Sequence, residues 1–198
     1  VGETAAESEA ILIESGVDRD AKFSDEAVAL LPPAGWQPDA EEVARRRDIR
    51  EGATGEAVCS VDPPGCVDID DALHAIELAA AAHGSRRFEV GVHIADVAHF
   101  VPHGSSLDTE SSQRGTTFYL VDQRVNMVPD VLGENVASLH AGRDRLAFSV
   151  FWEMDEEANI LSSSLKKTVI RSRASFSYKE AQARMDAAAD GSAEGTED

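Results

Sequence analysis

Basic residues are scarce: 18 Lys and Arg stand against 37 Asp and Glu, for a formal net charge of −19 at neutral pH. A surface that coats nucleic acid carries the opposite sign, so general charge-driven binding of a polyanion by this chain alone is disfavoured. The balance leaves room for metal-assisted chemistry, in which acids hold cations and basic residues elsewhere in a larger protein take the phosphates. Cysteine is nearly absent, with Cys59 and Cys66 the only two. Two make no disulfide framework, although one bridge between them stays open, and their spacing is not that of a zinc site. Free thiols in a reducing compartment are expected. No apolar run is long enough to span a bilayer, no basic-then-apolar leader opens the sequence, and no internal repeat is visible. What is present suffices for a globular core. The apolar fraction is an ordinary 42%, and 198 residues suit one or two domains. A first residue of Val and a polar last stretch read as a piece of a larger protein.

The acids are not spread evenly. Asp62, Asp68, Asp70 and Asp71 fall in one short run with no basic residue among them. Pro63-Pro64-Gly65 forces a turn after Asp62, because proline fixes φ and glycine permits the reversed hand. The chain then re-extends through β-branched Val67 and Ile69, with Asp68 and Asp70 on one side and Asp71 on the other. Two carboxylates about 5 Å apart repel by roughly 3 kcal/mol at an effective dielectric near 20. Four together call for protons, bound cations or separation. Oxygen-only donors select hard cations, so Mg²⁺ is expected and Mn²⁺ is its alternative. A solvated acidic turn is the plainer alternative. Val61, Val67, Ile69 and Leu73 interleave with the acids, which places them where strands enter a core.

Around this bend the pattern alternates helix and strand. Helices are expected over Glu3–Ser15, from Ser24 to before Pro32, over Glu41–Arg50, over Leu107–Arg114, from Pro129 through Leu132, and from a Ser177 capping box through Met185. Strands are expected over Ala57–Val61, Ala72–Leu78, Arg87–Val97, Thr116–Val121 and Val125–Val128, and as a long hairpin from Arg145 to Arg173. Gly52-Ala-Thr-Gly55 reads as a break. Trp36 reads as a core aromatic on a Pro-rich loop, and Arg45, Arg46, Arg47 and Arg50 as partners of Glu41 and Glu42. His93 and His99 near Asp96 read as structural. The whole suggests an α+β fold, a mixed, antiparallel-rich sheet with flanking helices. Residues 1–52 form a helical linker region, 53–186 the main domain, and 187–198 a disordered acidic tail.

The run Val-Asp62-Pro-Pro-Gly-Cys-Val-Asp68-Ile-Asp70-Asp71-Ala-Leu-His resembles the signature of the ribonuclease II/R (RNB) family of exoribonucleases. Its Pro-Pro-Gly-Cys filling is most similar to the exosome branch of that family. Further matches follow in order: Glu89-Val-Gly-Val-His93-Ile-Ala-Asp96-Val-Ala-His99-Phe-Val, Arg114-Gly-Thr-Thr-Phe-Tyr119-Leu, Met127-Val-Pro129, and Asp144-Arg-Leu-Ala-Phe-Ser-Val. The resemblance implies the N-terminal part of an RNB-type catalytic domain. The implied activity is metal-dependent, hydrolytic 3′→5′ degradation of single-stranded RNA to nucleoside 5′-monophosphates. Asp62, Asp68, Asp70 and Asp71 would be its catalytic and metal-holding residues, and Tyr119 would stack on the RNA. Exosome core subunits are implied as partners of the parent protein, with residence in nucleus and cytoplasm. One departure is local: the family reads Cys-Ser-Leu-Arg where this chain has Ala137-Ser138-Leu139-His140, so a basic contact is not carried over. The family's further clamping aromatic and catalytic arginine residues have no match here, and weak or no activity is expected of this piece alone.

Three other readings compete. An EF-hand loop beginning at Asp62 would need ligands where Pro64 and Cys66 stand, and lacks the central glycine. A phosphatase-type aspartyl nucleophile at Asp68-Ile-Asp70 needs an apolar strand before it, which Gly65-Cys66 interrupts. A non-catalytic acidic metal-binding or protein-interaction module is the third.

Overall fold

The computed structural model describes residues 3–18, 22–79 and 85–190. Its helices are α1 (Thr4–Glu14), α2 (Asp25–Val28), α3 (Ala40–Ala44), α4 (Gly52–Ala57), α5 (Ser106–Arg114) and α6 (Tyr178–Ala189). Its strands are β1 (Arg47–Asp48), β2 (Cys59–Asp62), β3 (Asp71–Leu78), β4 (Arg87–Ala95), β5 (Phe118–Tyr119), β6 (Arg124–Val125), β7 (Asp144–Asp155), β8 (Ile160–Arg171) and β9 (Ala174–Ser177). They gather into two compact units, each made of two stretches of chain: 1–36 with 97–136, and 37–96 with 137–198.

The larger unit is built on a seven-stranded sheet in the order β1-β8-β7-β4-β3-β2-β9. The hairpins β3–β4 and β7–β8 are antiparallel, as is β4–β7, while β1–β8 and β2–β9 are parallel. The mixed, antiparallel-rich sheet expected from the strand pattern is therefore present. Alternation in β4 and β7 sends one set of side chains inward. The core contains Val58, Ile69, Ala72, Leu146, Ala147, Phe151, Val169 and Ile170.

A polar thread crosses the buried face. Thr168, Ser149, His93 and His74 lie on β8, β7, β4 and β3, and all four are buried. The Ser149 and Thr168 hydroxyls meet at 2.6 Å, Ser149 Oγ reaches His93 Nδ1 at 2.7 Å, and His93 Nε2 reaches His74 Nδ1 at 2.9 Å. His74 Nε2 ends the thread on Glu89 Oε1 at 3.3 Å. A carboxylate at the end orients the thread: with both imidazoles neutral, His74 donates to Glu89, His93 to His74 and Ser149 to His93, while the Thr168 hydroxyl has Ser149 Oγ at 2.6 Å and the Ala147 carbonyl at 3.3 Å as acceptors. Burial lowers both histidines, with His93 pushed down to about 3, and the nearby Arg47 guanidinium lowers both further. Gly91 makes room for the thread, since a Cβ there would lie 2.2 Å from His74 Cε1.

The smaller unit packs α1, α2, α5, the β5–β6 ribbon and a π-helix over Val131–Val136 around Leu12, Ala27, Leu107, Val125 and Leu132. The Ser24 hydroxyl caps α2 and donates to Glu110 on α5 at 2.5 Å. Arg114 covers the Phe23 ring at 3.9 Å. Trp36 is docked edge-on against Phe100 with ring centroids 4.8 Å apart.

Several boundaries differ from expectation. The helix expected over Glu41–Arg50 ends at Ala44, because tertiary partners claim its arginines. Arg46 is buried against Glu42 and Asp96, and Arg47 pairs in β1 with its guanidinium 4.0 Å above Phe151. The break at Gly52–Gly55 is helix α4. Gly55 lets the turn sit where a Cβ would meet the Arg50 carbonyl carbon at 2.5 Å. The strands expected over Thr116–Val121 and Val125–Val128 shrink to two residues each. Gly133 lies within the π-helix rather than after it. Helix α6 runs on to Ala189, into the stretch expected to be a disordered tail. Residues 191–198, and most of the Ala79–Ser85 connection, lie outside the described residues.

Gly91→Ala should lower stability by about 1–3 kcal/mol through overpacking against His74, read as a lower denaturant midpoint. The buried histidines set a pH dependence. Their folded pKa values lie below the ordinary 6.5, so the unfolded chain takes up protons first. Stability is therefore complete above about pH 6.5 and falls as the pH drops toward the folded values. Denaturant titrations of the chain and of a His93→Gln variant should show a shallower acid slope in the variant.

Candidate active site

The acidic segment leaves β2 at Asp62 and enters β3 at Asp71. Cys66 N–H donates to Pro63 O at 3.1 Å, closing a turn with Pro64 and Gly65 at its centre. Among residues 63–70 none belongs to a strand, so the backbone polar groups there need other partners. Ser138 supplies two of them. Its Oγ accepts from Ile69 N–H at 2.9 Å and donates to Val67 O at 2.9 Å. Leu139 N–H donates to Ile69 O at 2.9 Å, and Ala95 N–H to Asp70 O at 2.8 Å. Ile69 is thereby buried as a plug, and the flanking acids are held outward.

Asp62 and Asp68 are half-buried, while Asp70 and Asp71 are exposed. Asp62 Oδ2 is buried and has no hydrogen-bond partner. The Asp62 residue lines a cavity of about 310 Å³ with the Pro63–Cys66 turn, Phe176 and Glu180. Among the described residues no Lys or Arg pairs with Asp62, Asp70 or Asp71. The Asp70 carboxyl is pushed above its ordinary range, first by the protein atoms crowding it and then by the charges of Asp68, Asp71 and Asp62. Protons therefore compete for Asp70 at a higher pH than for an ordinary aspartate. Cys66 sits within the same field, its Sγ 3.6 Å from Asp68 Oδ1. Desolvation, followed by the charges of Asp62 and Asp68, pushes its thiol up to about 11. Both cysteines are free.

The four carboxylates thus share one electrostatic neighbourhood centred on Asp70. They do not close into a cage: among the described residues no three His, Cys, Asp or Glu side chains converge to hold a metal ion. Asp71 is the first residue of β3, stands opposite Ile94 and is exposed. The donor chemistry still fits a hard divalent cation. The neighbourhood is all carboxylate oxygen except for a protonated thiol, and the buried Asp62 Oδ2 lacks a partner. Magnesium commonly uses one or two carboxylates and completes its shell with water and substrate phosphate, so a full protein cage is not required.

Tyr119 belongs to the smaller unit, on β5, and is 65% exposed. The Arg124 guanidinium lies 5.8 Å from its ring centre and also pairs with Glu134. An exposed ring of this kind can stack on a planar group. Among the described residues no group of three His, Cys, Asp or Glu side chains that could hold a metal includes His93 or His99. His93 belongs to the polar thread, and Asp96 is held by Arg46 at 2.8 Å and Lys167 at 2.7 Å. The Ser138 anchor was missed from sequence. Its only signal was its place in the Ala137–His140 stretch, noted there for a different residue.

A family model described as the RNB domain matches residues 46–197. The chain is 48% identical over 96% of its length to the exosome complex exonuclease RRP44 of Mus musculus, and spans 19% of that protein. Its fold matches the RNase R of Mycoplasma genitalium, solved in complex with ribose-methylated single-stranded RNA. There the TM-score is 0.77 and the identity 24%, covering 98% of this chain and 28% of that one. It also matches yeast Ssd1, described as a pseudonuclease, with a TM-score of 0.71, 22% identity, and coverage of 92% of this chain and 22% of the other.

Cys66 should react with iodoacetamide at pH 8 more slowly than a free cysteine, because so little of it is thiolate. Asp68→Asn should speed the reaction by removing a negative neighbour. Peptide mass spectrometry reads both rates, and alkylation at the free-thiol rate would contradict the described field.

Proposed function

Because the chain belongs to the RNB-domain family, we propose that it carries the carboxylate half of the active site of a hydrolytic 3′→5′ exoribonuclease. The substrate is single-stranded RNA, and the products are nucleoside 5′-monophosphates. The observation that carries this reading is the acidic bend. Four carboxylates share one field, crowding by protein atoms and then the charges of Asp68, Asp71 and Asp62 push the Asp70 carboxyl above its ordinary range, and Asp62 has a buried oxygen with no partner among the described residues.

Asp62, Asp68 and Asp70 would hold Mg²⁺, directly or through water, with Mn²⁺ as an alternative ion. When bound, the ion supplies charge neutralisation at the phosphodiester and a more acidic water. Asp71 orients the attacking water or the ion from the mouth of β3. Tyr119 stacks on the terminal nucleotides, a contact that tolerates any base. The chain's net negative charge leaves the phosphate contacts to the rest of the parent protein, since this chain spans about a fifth, 19%, of its curated relative. The activity proposed is that of the parent. Association with exosome core subunits, and with it residence in nucleus and cytoplasm, belongs to the same proposal.

A second reading treats the chain as a non-catalytic acidic module. A protein described as a pseudonuclease shares the fold, so the fold alone does not carry catalysis. The complete set of four acids in this chain favours the nuclease.

In the full-length parent, Asp70→Asn should lower Mg²⁺-dependent digestion of 5′-labelled single-stranded RNA by at least about a hundredfold, beyond the ten- to hundredfold effect of outer-shell changes. RNA binding should persist in the same variant. Digestion at an unchanged rate would remove Asp70 from the mechanism. Tyr119→Ala should weaken RNA binding by about 1–3 kcal/mol, measured by filter binding.

A further inference from the structure

The acids themselves do not account for how the bend keeps its shape. Like charges on Asp68 and Asp70 favour a chain that spreads, and residues 63–70 have no strand ladder to resist it. Ser138 provides the resistance. It is 1% exposed and belongs to neither the sheet nor the acidic segment. One hydroxyl bonds on both sides of Asp68, accepting from Ile69 N–H and donating to Val67 O, each at 2.9 Å. The next residue adds a third bond, Leu139 N–H to Ile69 O at 2.9 Å.

Ser138 is itself held from behind. Arg145 Nε donates to Ser138 O at 2.8 Å, and Arg145 Nη1 donates to Asp144 O at 2.9 Å. Arg145 is 1% exposed. Burial pushes its guanidinium down to about 10, which leaves it charged at neutral pH. A charged donor on the Ser138 carbonyl makes a stronger bond than a neutral one. The order of support is therefore Arg145, Ser138, the Val67–Ile69 backbone, and the two acids that leave it.

We propose that Ser138 is a positioning residue of the carboxylate site, fixing the backbone on both sides of Asp68 so that Asp68 and Asp70 address a common divalent cation. This rests on the metal-holding role given to the acids above. Outer partners of metal ligands typically change affinity ten- to a hundredfold when removed.

The test uses the 198-residue chain and Mn²⁺ alone as the probe, with free Mn²⁺ counted by electron paramagnetic resonance. Ser138→Ala should weaken Mn²⁺ binding about tenfold or more, and Ser138→Thr, which keeps the hydroxyl, should recover most of it. Ser149→Ala removes a buried hydroxyl from the polar thread of the same unit and should leave Mn²⁺ affinity unchanged. Equal weakening by Ser149→Ala would mean general loss of stability and would overturn the positioning role. Asp70→Asn separates the two levels. If it weakens Mn²⁺ binding while Ser138→Ala does not, the acids hold the ion and Ser138 does not position them. If Asp70→Asn has no effect, the metal-holding role falls and the positioning role with it. A measurement on the unsubstituted chain guards against variants that do not fold. The Ile69 amide should exchange with deuterium at least a hundredfold more slowly than an unprotected amide, and rapid exchange there would overturn the anchor.

Discussion

Mutual repulsion among Asp62, Asp68, Asp70 and Asp71 is the constraint on which the rest of the larger unit turns. Nothing in the acidic run can relieve it, since the run holds no base and, among the described residues, no Lys or Arg reaches Asp62, Asp70 or Asp71. The fold answers with fixed backbone. Strand β2 delivers Asp62, strand β3 takes over at Asp71, and hydrogen bonds from Ser138, Leu139 and Ala95 pin the stretch between them. Asp70 holds its proton more tightly than an ordinary aspartate, first because protein atoms crowd it and then because of the charges of Asp68, Asp71 and Asp62. A divalent cation relieves this kind of strain and gains phosphoryl chemistry in doing so.

The sheet beneath is polar where it could have been greasy. A hydrogen-bonded thread from Thr168 to Glu89 and an ionic cluster of Arg46, Lys167 and Asp96 cross its strands. Buried pairs of this sort add little net stability relative to apolar packing, but removing one partner leaves an uncompensated charge. The thread joins β8, β7, β4 and β3, and β3 is the strand that begins at the end of the acidic bend.

Much of this was legible in the residues. Alternation marked β4, the long hairpin was read from Arg145 to Arg173, Ser24 and Ser177 marked helix starts, and four acids stood out as one cluster. What was not legible depended on distant partners. Arg46 and Arg47 suit a helix locally, but Asp96, Glu89 and Phe151 draw them into a turn and a two-residue strand. Gly52–Gly55 reads as a break until a close backbone approach makes a glycine helix useful. Ser138 stands 69 residues from Ile69 and 71 from Val67, the two it bonds, and no local pattern announces such a bond. The acids were expected to converge on an ion; the charges of Asp68, Asp71 and Asp62 act on Asp70, while among the described residues no three donors form a metal cage.

Anomalous diffraction from crystals of the chain grown with Mn²⁺ tests the central claim most directly. The account predicts a manganese peak at the acidic bend, with oxygens of Asp62, Asp68 or Asp70 in its inner shell or bridged to it by water. Crystals that diffract well and show no manganese at the bend, or manganese only at acids elsewhere, would contradict it.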